Sequence, residues 1–244
     1  SSFKKHLQAL SQQGSSVVAL CSCRVASGIP HGCSPRAACS LSPWAGALST
    51  SLHVGSEALV DRPTMAIQTP DLRIGCASDA VTVSALATQV YLDTYGPEGI
   101  TQDLAREAFV VCSTQAFTER LASMQLRFIL ATREDRLVGF LELVTQPTHP
   151  PGHAHPGLEV ARLYVQPAAQ GQSIGSLLLR EVEAYALLSQ SGLIWLTAWA
   201  GNHRALGFYQ AQGFQDVGAT PYVFEGRSYE NRVLVKPLPA KGRL

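Results

Sequence analysis

L-E-V-A-R-L-Y-V-Q-P-A-A-Q-G-Q-S-I-G, residues 158–175, reads as a strand, a loop and the first turn of a helix. Residues 158–165 are apolar and β-prone, and Pro167 and Gly171 interrupt them. Between Ser173 and Ser189, Ile174, Leu177, Leu178, Tyr185 and Leu188 recur at helical spacing, which predicts an amphipathic helix with those residues inward. A helix N-terminus presents unpaired backbone N–H groups and a partial positive charge. Glycine lets a phosphate approach such amides with no Cβ in the way. The turn Gln170, Gly171, Gln172, Ser173, Ile174, Gly175 is therefore a candidate phosphate cradle. It has neither the Gly-Lys-Ser/Thr of a P-loop nor the G-x-G-x-x-G of a dinucleotide fold. Taken alone it is equally an ordinary glycine-containing helix start.

Outward from this turn the pattern stays regular. Residues 72–77 read as a short strand, and Asp79 as the N-cap of a helix carrying Val83, Leu86, Ala87 and Val90 on one face. Gly96 and Pro97 break that helix, and Thr101 caps a second one reaching about Ser123. Residues 126–132 and 137–145 form a hairpin around the charged turn 133–136. A Pro/His/Gly loop, 147–157, leads back to the quoted strand. Beyond the helix come a strand at 193–200, a helix at 202–212 closed by Gly213, and a hairpin of 222–225 and 231–235 around Gly226. The predicted order, β-α-α-β-β-β-α-β-α-β-β, makes an α/β domain with a mixed sheet.

The remaining composition narrows the possibilities. A net charge of +1 over 244 residues gives no electrostatic footprint for nucleic acid or an anionic membrane. An apolar fraction of 46% suffices for a sizeable core. The longest apolar runs, such as 193–200, are too short to span a bilayer. Four of the six cysteines, Cys21, Cys23, Cys33 and Cys39, fall in the first forty residues, and only Cys76 and Cys112 in the patterned part, so no disulfide framework is expected there. That usage fits a reducing, cytoplasmic setting. Residues 1–64 are rich in Ser, Ala, Gly and Cys, without sustained periodicity. They read as a low-complexity extension, either a targeting or regulatory tail or non-native sequence translated from upstream. The four cysteines there lack zinc-finger spacing. Residues 65–244 read as one enzyme-sized domain. His149, His153 and His155 invite a metal reading, but a Pro/Gly loop supplies no fixed ligand geometry, and no metal is expected.

Three stretches together resemble the GNAT superfamily of acyl-CoA N-acetyltransferases. Residues 158–167 look like its fourth strand, Gln170–Gly175 like its Q/R-x-x-G-x-G/A pyrophosphate motif, and I-W-L-T-A-W-A-G-N-H-R-A-L-G-F-Y-Q-A-Q-G-F, residues 194–214, like its strand, Asn and N-x-x-A-x-x-F-Y-x-x-x-G-F helix. Ser173 stands where the motif usually has its first glycine; its small side chain can donate to a phosphate or cap the helix. W-L-x-x-W-x-x-N and the Y-x-D-T-Y-G of residues 91–96 look closest to the polyamine-type (spermidine/spermine) microbial acetyltransferases. The resemblance implies a mostly antiparallel, mixed seven-stranded sheet with a splayed parallel pair and about four helices. It implies acetyl-CoA as cosubstrate, with the phosphates at Gln170, Gly171, Gln172, Ser173, Ile174, Gly175 and Ser176. Backbone amides at Leu163, Tyr164 and Val165 would take the pantetheine or the thioester oxygen, beside a bulge that frees them. Asn202 would hold the cofactor arm, and Tyr209 would protonate the departing thiolate. A homodimer is common in that superfamily.

The residues carry other readings alongside. Asn202 also suits the N-cap of the helix it precedes, and Tyr209 a core aromatic, since Phe208 and Tyr209 cannot face the same way. Glu159 is the candidate base, directly or through water, or else a solvent-facing strand carboxylate. Asp93 and Glu98 either attract a cationic amine or are simply solvated; Tyr95 and Trp199 either wall the acceptor site or pack the core. The expected reaction is transfer of acetyl to a primary amine, of a small molecule such as a polyamine, by direct attack. Acetylation of a protein N-terminus or lysine, and an acyl-CoA-binding sensor without turnover, are the alternatives.

Overall fold

A computed structural model describes residues 69–239 except Glu225. The extension 1–64 and its four cysteines lie outside the described residues. Seven strands form one sheet: β1 (Asp71–Ile74), β2 (Leu126–Arg133), β3 (Arg136–Thr148), β4 (Gly157–Val165), β5 (Leu193–Trp199), β6 (Gln215–Phe224) and β7 (Arg227–Pro237), in the order β1-β2-β3-β4-β5-β7-β6. Every neighbouring pair is antiparallel except β4 and β5. The helices are α1 (Ala80–Tyr95), α2 (Gln102–Val111), α3 (Thr114–Leu121), α4 (Ile174–Leu188) and α5 (His203–Ala211). The helix expected from Thr101 to about Ser123 is thus two. Thr101 caps α2, and Ser113 starts α3 by accepting a bond from the Ala116 amide, because a serine side chain competes for backbone donors and ends one helix where it begins the next.

Strand periodicity sends the core to both faces of the sheet. Phe128 and Leu130 of β2 and Phe140 of β3 pack against Val83, Ala87 and Phe117 of α1 and α3. Ile129, Ala131, Leu141 and Leu143, their neighbours in sequence, meet Leu178 and Val182 of α4 on the other face. The inward stripe of α4 is Ile174, Leu178, Leu179, Val182 and Ala186, and Leu188 is 79% exposed, so the expected face is rotated at its C-terminal end. The i, i+4 series from Ile174 reaches Ala186, which leaves Leu188 on the solvent side. Between β2 and β3, Glu134 and Asp135 both take positive φ (48° and 60°), the two-residue geometry whose twist matches the flanking strands. Asp79 stands at the N-cap of α1, but its carboxylate makes no capping bond there. It is held instead by Arg73 (2.6 and 2.9 Å) and the Cys76 amide, well below the usual carboxylate range, with the Arg73 hydrogen bond as the largest cause. Cys76 and Cys112 are free thiols. Among the described residues no helix is long and apolar enough to cross a membrane.

The parallel pair decides the architecture of the site. β4 and β5 are paired only at Leu158–Ile194 and Glu159–Trp195. Glu142 of β3 faces Arg162 while Leu143 faces Val160, so Ala161 is an extra, bulged residue. Past it β4 turns away from β5, and a wedge opens within the sheet. Its closed end is tight: a Cβ on Gly157 would lie 2.7 Å from the Leu193 carbonyl oxygen, and the Trp195 indole donates to the Gly157 carbonyl at 3.3 Å.

Candidate active site

The wedge widens into a cleft of about 1730 Å³, bordered by α1, α2, β4, β5, α5 and the β6–β7 hairpin. Single ligand sites usually measure about 300–1,000 Å³, so this cleft has room for two reactants. Gln170, Gly171, Ser173 and Gly175 line one end, Leu163, Tyr164 and Val165 one wall, and Asn202 and Tyr209 the opposite wall, with Glu159 also on its surface. Gln172, Ile174 and Ser176 do not line it. Ile174 is buried in the core, so any phosphate contact it makes comes from its amide. Gln172 instead braces the turn, donating to the Ala168 carbonyl (3.1 Å) and accepting from Arg133 (2.5 Å).

The turn is built for close approach. Gln170 donates to the Val165 carbonyl at 3.1 Å, tying the loop back to β4. Gly171 has φ +78° and open space where a Cβ would lie. At Gly175 a Cβ would fall 2.9 Å from the Phe208 ring, so glycine brings α4 and α5 together there. Ser173 adopts φ 62°, ψ 9°, left-handed backbone that favours glycine, and its hydroxyl makes no capping bond. The capping role open to it in the sequence is not taken, since a left-handed N-cap does not aim its side chain at the next amides. A non-glycine residue here costs about 1–2 kcal/mol. Ser173→Gly is therefore expected to stabilise the fold by about 1 kcal/mol, read as a higher denaturant midpoint at unchanged slope.

Asn202 does cap α5: its side chain accepts from the Ala205 amide at 3.1 Å while the residue lines the cleft. The following helix ends as expected at Gly213, φ +86°. Of the two adjacent aromatics, Phe208 covers Gly175, and Tyr209 is 8% exposed, its ring against Phe208 and Phe214 at 5.3 and 5.6 Å. Core aromatic and cleft residue are thus combined in Tyr209. Burial, and secondarily the nearby Tyr95, push its hydroxyl well above the ordinary phenol value, so it keeps its proton. Glu159 is 8% exposed, not a solvent-facing strand carboxylate, because β3 and β5 flank it.

On the acceptor side, Tyr95 and Trp199 both line the cleft with ring centroids 5.9 Å apart, and Tyr91 lies 4.7 Å from Tyr95. Asp93 lines it as well, and Glu98 does not. His149, His153 and His155 stay off its walls, and no metal-holding group of His, Cys, Asp or Glu occurs among the described residues.

Two features escape a linear reading. Glu142 on β3 is fully buried and bonded by two guanidiniums, Arg120 of α3 (Nε at 3.1 Å, with Nη2 also in contact) and Arg162 of β4 (2.8 Å). This triad clamps the strand pair beside the bulge. Its trace in the sequence is the single carboxylate inside the apolar run L-V-G-F-L-E-L-V, residues 137–144. The second is Glu107 of α2, which accepts from the Tyr222 hydroxyl of β6 at 2.5 Å across the cleft, 115 residues away.

Residues 98–214 match the acetyltransferase (GNAT) family. Over 103 residues the chain is 35% identical to the N-alpha-acetyltransferase RimI of Mycobacterium tuberculosis, covering 42% of this chain and 61% of that protein. The chain therefore spans less than two thirds of that relative's length. Its backbone is similar to PaiA N-acetyltransferase from Thermoplasma acidophilum in complex with coenzyme A, with a TM-score of 0.56 at 19% identity over 70% of this chain and 100% of the other. It is also similar to YncA of Salmonella typhimurium with acetyl-CoA, with a TM-score of 0.52 at 16% identity over 72% and 98%. At such identities the likeness is one of fold: a mixed sheet with one parallel pair.

Proposed function

We propose, from the match of residues 98–214 to the acetyltransferase (GNAT) family, that this chain transfers acetyl from acetyl-CoA to a primary amine of a small cationic molecule such as a polyamine. The observation that carries the reading is the splay of β4 from β5 past the Glu159–Trp195 pair, which opens a slot between the α4 N-terminus and Tyr209. Residues 65–244 are the catalytic domain in this reading. The free thiols of Cys76 and Cys112 fit a reducing cytoplasm.

The residues present suit the cosubstrate. The free amides at the start of α4, the Cβ-free Gly171 and the uncommitted Ser173 hydroxyl offer donors to a pyrophosphate. Leu163, Tyr164 and Val165, beyond the Ala161 bulge, line the slot, and strand alternation, with the Gln166 amide bonded to Val138 of β3, leaves the Leu163 and Val165 amides for the thioester oxygen as it gains negative charge. The neutral amine attacks the thioester carbonyl carbon, and the carbon–sulfur bond breaks as the amide forms. Tyr209 gives its proton to the departing sulfur, and Glu159, directly or through water, takes the proton the amine sheds. A protein N-terminus is the second acceptor to weigh, because RimI is an N-alpha-acetyltransferase.

Saturating acetyl-CoA, at about 100 times its Kd, should stabilise the chain by about 2.7 kcal/mol. A domain of this size should then melt roughly 5–10 °C higher. No shift at saturation sinks the reading. A thiol-release screen over polyamines, amino acids, aminoglycosides and N-terminal peptides then separates the two acceptors.

A further inference from the structure

We propose that Glu107, Tyr91 and Tyr222 form a subsite for a second ammonium group of the acceptor, distinct from the amine that is acetylated; this rests on the acetyltransferase reading above. Glu107 is half-buried and lines the cleft. Among the described residues it makes no ion pair, and a phenol hydrogen-bonds it. Tyr222 donates to it at 2.5 Å, and Tyr91, whose hydroxyl is raised by burial and then by Glu107, lies beside it. A carboxylate in a partly dry cleft with no cation beside it attracts one. The rings around it suit the same guest. Tyr91 and Tyr95 are 4.7 Å apart and Tyr95 and Trp199 5.9 Å, and aromatic faces stabilise ammonium groups by their quadrupoles. The cleft as a whole leans acidic, with six carboxylates on its walls against four arginines, two of which are committed to Glu142.

The chemistry requires this ammonium to be a second one. The attacking amine must be neutral, whereas an ammonium against Glu107 is held in its charged form. The site also lies apart from the reaction end. Glu107 sits on α2 against Tyr222 of β6, and the ring series Tyr91, Tyr95, Trp199, with centroids 4.7 and 5.9 Å apart, leads from α1 to β5 at the slot. An aliphatic amine with at least two ammonium groups fits, one reaching the slot and the other held by Glu107.

The test compares 1,4-diaminobutane and longer α,ω-diamines with monoamines of matched length, on the full chain and on Glu107→Gln and Tyr222→Phe. Glu107→Gln should raise the ratio of diamine to monoamine KM about 10–100-fold, with kcat for the diamine within about threefold; Tyr222→Phe should raise it less. Calorimetry of diamine binding to the CoA-saturated chain reads the subsite without turnover. There Glu107→Gln should weaken diamine affinity by the same factor, while the acetyl-CoA thermal shift certifies each variant as folded. Equal losses for monoamine and diamine would assign Glu107 to the reacting amine and overturn the proposal. So would a wild-type chain that binds no diamine with CoA bound. A chain that binds diamine through Glu107 but takes up no acetyl-CoA would keep the subsite and remove the acetyltransferase reading.

Discussion

Tyr209→Phe should lower kcat about 100-fold while leaving acetyl-CoA affinity within about twofold. General acid assistance typically contributes about 10²–10⁴-fold, and the lower end suits a thiolate, which is already a competent leaving group. The substitution isolates the hydroxyl, because the Phe ring keeps the packing against Phe208 and Phe214 that buries Tyr209. The sign of the pH dependence follows from the raised phenol: a general acid works while it holds its proton, so the loss of rate that reports Tyr209 must fall above the ordinary phenol range near about 10. Single-turnover measurements of thiol release decide it. Unchanged turnover with chemistry rate-limiting would remove Tyr209 from the mechanism.

Glu142→Ala should be the most destabilising single change. It strips the carboxylate that Arg120 and Arg162 share and leaves two buried guanidiniums facing each other. Breaking a buried pair by removing one partner costs about 3–5 kcal/mol. For a domain of this size that lowers the melting temperature by roughly 10 °C. Glu142→Gln, which keeps an acceptor oxygen but not the charge, should lose less. Equal, small losses in both melts would mean the arginines find other partners. Because Glu142 joins α3 to the strands flanking Ala161, loss of acetyl-CoA affinity should accompany the loss of stability.

Much of the fold could be read from order and period alone. Alternation in β2 and β3 sets two core faces, the α4 stripe sets a third surface against them, and Gly213 and Gly226 mark turns that take positive φ. Misreadings fell where a local rule had a competitor. Asp79 suits an N-cap by type, but Arg73, on the strand that leads into this turn, claims its carboxylate. Ser173 suits a capping hydroxyl, but the turn bends it into left-handed backbone. Leu188 continues the apolar pattern of α4 past the point where the sheet can cover it.

The site divides along the same line. Gln170 and Ser173 sit in one short motif and Asn202 and Tyr209 in another, each with the spacing of one turn or one helix, and such spacing is written in the sequence. The sequence by itself thus determined the strand–turn–helix cradle, the capped helix with its paired aromatics and the α/β order. The tertiary structure alone decided how wide the slot opens, through a bulge that exists only against β3, and which charges meet: Glu142 with Arg120 and Arg162, and Glu107 with Tyr222. Local backbone rules act over a few residues and leave a local signature. Contacts between residues 20 to 115 positions apart depend on how the sheet brings distant segments together, and no short pattern records them.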